Sequence, residues 1–168
     1  MLKLLTDRLP SPAPMLRRLD RWVPWSLKCQ LVEPQLNQLF GRYIREGEFD
    51  LLAERFITLR LRDLQIQLTL TLENEQLRLS QQTGEVTISG DLETFIQLAR
   101  QQADADGLFF QRKLVLEGDT ELGLGVRNLL DSLEWSLADS RIGTLLLQLE
   151  ALRQRLPSAV RPFSPSVG

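Results

Sequence analysis

Few side chains in this protein could make or break bonds, and those that could are not grouped for it. Histidine is absent, and Cys29 is the sole cysteine. That excludes Ser-His-Asp and Cys-His catalysis together with the common histidine-containing metal sites. A single cysteine can form no internal disulfide and no cysteine cluster for zinc or an iron–sulfur centre. An enzyme built on this chain would need a Ser-Lys, carboxylate or substrate-assisted mechanism, and no spaced constellation for one is present. Glu117, Asp119 and Glu121 could form a metal or acid–base cluster, but no histidine or further carboxylate completes it. Gly118-Asp119 reads more simply as a tight strand exit followed by a helix cap. Cys29 reads as an inert buried thiol.

The expected chemistry is therefore non-covalent binding, with no catalytic residue, cofactor or metal. The 168 residues are enough for one domain with a sizeable core. An apolar fraction of 43% and a charged fraction of 25% are ordinary for a globular protein. A net charge of -2 argues against a nucleic-acid partner. The charge is unevenly spread. Residues 1–28 hold six basic and two acidic side chains, a balance of +4, which leaves -6 for the remainder. No apolar run approaches the roughly 20 residues that cross a bilayer. The charge-interrupted start Met1–Arg8 does not read as a secretory h-region, so a cytoplasmic chain is expected, one that touches a membrane surface.

Residues 1–24 read as a basic leader broken by Pro10, Pro12 and Pro14. Within it Met15, Leu16, Leu19, Trp22 and Val23 share one helical face. Arg17, Arg18 and Arg21 with Trp22 and Trp25 suit a membrane interface, where indoles lie at headgroup depth and arginines meet anionic lipid. The alternative folds Trp22, Val23 and Trp25 onto the domain. A second helix is expected from Pro24, bent or broken near Pro34 and ended by Gly47, with Leu36, Leu39, Phe40, Tyr43 and Ile44 facing the core.

The period then changes to two. Ile57, Leu59 and Leu61 alternate with polar residues, as do Ile66, Leu68, Leu70 and Leu72. Strands around Leu77 and Leu79 and around Val86 and Ile88 complete an expected four-strand antiparallel meander. A helix follows through Leu92, Phe95, Ile96 and Ala99, capped by Ser89 or Asp91. Asp104–Gly107 reads as a loop and Leu114–Leu116 as a fifth strand. Asp119 should cap a helix carrying Leu122, Val126, Leu129, Leu130 and Leu133. A last helix over about 142–156 and a disordered tail over 157–168 finish the chain. Segregated strands and helices give an α+β fold, a five-stranded mostly antiparallel sheet with helices on one face, preceded by the helical leader.

The segment Gly107–Leu124, in which Leu108-Phe109-Phe110-Gln111-Arg112 leads through a basic–aliphatic strand into Gly118-Asp119 and an apolar helix, resembles the C-terminal signature of the sterol carrier protein type 2 family. Within that family it is similar to accessory factors for oxygen-independent ubiquinone biosynthesis. The resemblance covers about residues 37–135 and sets a sterol-carrier-like lipid-binding domain at 25–156. It implies helices enclosing an apolar tunnel for an isoprenoid quinone precursor or phospholipid, and partners resembling UbiU and UbiV. It carries over no catalytic residue. Phe95, Phe109, Phe110, Leu122, Val126, Leu129 and Leu130 are the candidate lipid-binding residues. Core packing uses the same residue types, so periodicity alone leaves both roles open.

Overall fold

The computed structural model describes residues 23–133 together with Gln148 and Ala151, both of them helical and exposed. The leader through Trp22, most of the expected last helix and the tail lie outside the described residues. The first element, α1, spans Trp25–Arg45 without interruption, with Pro34 inside it rather than at a break. Of the expected bend or break near Pro34, the break is therefore not observed. Proline removes one amide and one intrahelical hydrogen bond, and the tertiary contacts on either side of Pro34 hold the helix together. Phe40 and Ile44 are buried in the core after the proline, and Glu33 is buried just before it. Gly47, with φ +80°, ends the helix as expected. Its amide bonds to Ile44 O, and the Glu48 amide reaches back to Tyr43 O, the paired bonds of a Schellman end.

After a 3-10 turn at Asp50–Leu52 come β1 (Ile57–Leu61), β2 (Ile66–Glu73), β3 (Gln76–Ser80) and β4 (Val86–Gly90). Then follow α2 (Leu92–Ala99), α3 (Ala105–Phe110), β5 (Val115–Gly118) and α4 (Thr120–Ser132). The sheet order is β3-β2-β1-β4-β5. Only β1, β2 and β3 form the expected meander. β4 crosses back to lie parallel to β1, with Ile57 opposite Val86 and Leu59 opposite Ile88, and β5 adds antiparallel to β4. The sheet is thus mixed and mostly antiparallel. The correction has a physical origin: β2 already pairs with β1 and β3, and the outer edge of β3 is taken by α1.

That edge is closed by side chains. Glu33 Oε1 accepts from the Leu79 amide at 2.9 Å. Asn37 accepts from the Leu77 amide at 2.8 Å and donates to Leu77 O at 2.9 Å. Edge groups that would otherwise be left for water or another chain are satisfied by the helix.

The register places Leu77, Leu79, Leu70, Leu72, Ile57, Leu59, Val86, Ile88 and Leu116 on one side of the sheet. This side meets the core residues of α1, α3 and α4, including Phe40, Leu108, Leu122 and Val126. A satellite cluster of Leu64, Leu92 and Ile96 packs with Leu61 and Ile66 beneath α2. Asp91 sits at the N-cap position of α2, but its side chain makes no capping bond. The Asp63 carboxylate bonds the Leu92 amide instead, at 3.1 and 3.2 Å. Asp104–Gly107 is not a loop: Asp104 caps α3, accepting from Gly107 N at 3.1 Å. Aspartate competes with helix backbone in its interior but favours its start, so the same run of residues serves either structure.

Candidate functional site

Four of the seven candidate lipid-binding residues lie in the apolar layer between the sheet and α4, Phe95 and Phe109 pack partly against the same core, and Phe110 does not join them. Leu122, Val126, Leu129 and Leu130 are all buried in the main core cluster. They recur on one face of α4, whose start is set by Asp119: its Oδ1 accepts from the Leu122 amide at 2.7 Å. The same oxygen lies 3.4 Å from the Arg55 guanidinium. Asp119 therefore acts in a structural network, while Glu117 and Glu121 are exposed. Gly123 lets α4 approach β5 closely, since a Cβ there would drive into Leu116 Cδ2. Gly125 faces Leu51 at ordinary contact distance.

Phe95 is partly buried against the same core, and its ring together with Leu114 occupies the space that a Cβ on Gly90 would need. The two adjacent phenylalanines of α3 part company. Phe109 packs partly into the core, with the Arg127 guanidinium 5.5 Å from its ring centre. Arg127 is held there by Asp106 at 2.6 Å. Phe110 is 90% exposed, and Leu124 on α4 is 61% exposed. The described residues thus show a close-packed apolar layer with one bare aromatic ring at the end of α3.

Of the candidate docking residues, Arg17, Arg18, Arg21 and Trp22 lie outside the described residues. Trp25 is the first residue of α1 and is half-buried against the core. Farther along α1, Leu27 and Leu31 are exposed one turn apart. Cys29 is half-buried beside Glu33. Burial and the neighbouring Glu33 raise its thiol above its ordinary range, which keeps it protonated and poorly nucleophilic at neutral pH. Among the described residues no helix is long and apolar enough to cross a membrane.

A cavity of about 290 Å³ is lined by Thr58, Arg60, Gln67, Thr69 and Thr87 from the polar side of the sheet and is bordered also by Trp25 and Lys28 of α1 and by the core-side Leu68 and Leu79. Sequence reading missed it, because most of its strand residues are the polar half of each alternation and read as a solvated face. A run of hydroxyl and amide side chains around one arginine was the available signal.

The chain belongs to the SCP-2 sterol transfer family, whose model matches residues 36–131. In sequence it is similar to the ubiquinone biosynthesis accessory factor UbiT of Escherichia coli strains K12 and O157:H7. The identity is 36% over 151 residues, covering 89% of this chain and 87% of those proteins. Among solved structures, one described as UbiJ-SCP2, a ubiquinone synthesis protein, shares the fold with a TM-score of 0.50 and 18% identity. It covers 64% of this chain and 97% of that one.

Proposed function

We propose that this protein is a non-catalytic, lipid-binding accessory factor of oxygen-independent ubiquinone biosynthesis, holding or presenting polyprenylated quinone precursors to UbiU- and UbiV-like hydroxylation partners at the inner face of the membrane. The observation that carries the reading is the similarity to UbiT across nearly the whole chain, on an SCP-2 domain. The energetics fit the role. Burying a CH₂ group is worth about 0.8 kcal/mol, so each five-carbon prenyl unit contributes on the order of 3–4 kcal/mol. A tail of several units stays in a bilayer unless a protein supplies comparable apolar cover. In this reading Phe95, Phe109, Leu122, Val126, Leu129 and Leu130 provide that cover, and the exposed Phe110 ring marks its entrance. Because those positions are packed together, the layer must part to admit a chain. The missing histidines and the structural role of Asp119 support the absence of catalysis.

Protein purified under mild conditions is expected to retain a prenylated quinone or phospholipid, detected by native mass spectrometry with lipid extraction. A clean apo mass that persists after quinone is added sinks the carrier role. The packed apolar layer favours a second reading, an adaptor that anchors the biosynthetic partners without a ligand cavity. Residues 1–24 are the proposed docking leader in both readings. Their removal is expected to abolish flotation with anionic vesicles while leaving any ligand retention intact; unchanged flotation rejects the leader's role.

A further inference from the structure

The polar side of the sheet carries two buried polar side-chain atoms left without a partner by the described residues. Arg60 Nε, in the middle of β1, and Ser89 Oγ, directly across from it on β4, are both buried and meet no hydrogen-bond partner among the described residues. Arg60 also lines the 290 Å³ cavity, where Lys28 of α1 brings a second positive charge; none of the described lining residues is acidic. Around them stand the hydroxyls of Thr58, Thr69 and Thr87 and the amide of Gln67. The Thr58 and Thr69 hydroxyls are bonded to each other at 2.8 Å, which fixes that part of the wall. Arg60 is half-buried with its Nε–H shielded from water and without an acceptor, and the planar donors of a guanidinium match the geometry of a carboxylate or phosphate. The volume lies at the lower end of small-molecule sites, about 300–1,000 Å³, and suits a headgroup or small anion better than a long chain.

We propose that this cavity is an oxyanion-binding site for a carboxylate or phosphate group, with Arg60 and Lys28 supplying the charge and the β1, β2 and β4 hydroxyls orienting the oxygens. The site is built mainly from the polar strand face, with Leu68, Leu79 and Trp25 of the apolar side at its border, and binding of an anion there does not require that the apolar layer hold a lipid. The group could belong to a free small anion or to the headgroup of an amphiphile.

The test titrates the full chain with inorganic phosphate, benzoate and monomeric dihexanoyl phosphatidylglycerol. Binding is followed by the Arg60 Nε–H resonance and by calorimetry. At least one probe is expected to shift that resonance, and Arg60→Gln is expected to weaken its binding by about tenfold or more, the loss typical of one charged hydrogen bond. Lys28→Gln, on a helix and outside the strands, weakens the same probe and serves should Arg60→Gln fail to fold. Binding of phosphate or benzoate supports a free anion, and binding of the phospholipid alone supports a headgroup. Silence of the Arg60 resonance to all three probes, or unaltered affinity in both variants, overturns the site. Retention of prenylated lipid is measured separately, so either proposal can fail without the other.

Discussion

Gly118→Ala is expected to lower unfolding stability by about 3 kcal/mol or more, read as the shift in a denaturant midpoint at constant slope. Two costs combine. Gly118 has φ +116°, a region that side-chain-bearing residues rarely adopt, and a Cβ there would run into the backbone carbonyl of Glu85. That carbonyl also accepts the Asp119 amide at 3.0 Å. The added methyl therefore strikes the junction where β5 pairs with β4 and where Asp119 begins α4. Flexible side chains could move aside, but here the obstacle is main chain, at the residue that leads directly into β4. Since α4 carries Leu122, Val126, Leu129 and Leu130, the same substitution is expected to loosen the proposed lipid layer. An unchanged midpoint would show that the junction is less constrained than its geometry requires.

Removing the Glu33 carboxylate is expected to be nearly as damaging. Glu33→Ala leaves the buried Leu79 amide without an acceptor, at a cost of about 1–3 kcal/mol. The ion pair with Arg78, at 2.9 Å, adds little beyond that, because the Arg78 side chain is 45% exposed and solvent screens it. Burial pushes the Glu33 carboxyl up, but the Leu79 amide and the Arg78 guanidinium outweigh burial and hold it below the usual carboxylate range. A depressed acid favours the folded state when ionised. Its contribution is thus complete above the ordinary glutamate value of about 4.3 and is lost as pH falls below it through the folded-state value. Stability measured against pH should fall more steeply on the acid side in the wild type than in Glu33→Gln. Parallel acid limbs would contradict this role for Glu33.

Much of the architecture could be read from side-chain periodicity and local backbone chemistry. The alternation from Ile57 to Leu61 and from Ile66 to Leu72 marks strands because each has one buried side, and Gly47 and Asp119 mark helix ends because their local chemistry suits little else. Three features escaped that reading because they are settled by residues distant in sequence. The parallel pairing of β4 with β1 depends on which sheet edges remain open. The uninterrupted α1 survives Pro34 because contacts on both sides compensate for the lost bond. The start of α2 is answered by Asp63, far from any position a capping rule inspects. The candidate lipid residues could be nominated from the sequence, yet core and pocket wall draw on the same apolar residue types, and only the folded structure separates the inward Phe109 from the exposed Phe110. The cavity around Arg60 escaped because solvated strand faces and polar sites have the same composition.

The crossover that sets β4 beside β1 also orders how the molecule can assemble. The β1–β2 and β2–β3 hairpins close over short turns and lose little chain entropy on forming. By contrast, Val86 must find Ile57 with both hairpins lying between them in the chain, and Gly118 must then find Val86. Such high-contact-order pairings come late in folding, because their loop-closure cost precedes their reward. The three-stranded meander is therefore the part able to organise first. The half of the sheet that carries β4, β5 and the start of α4 matures on it as a template, so defects at Glu85 or Gly118 should appear as slow completion of the fold and leave its initiation intact.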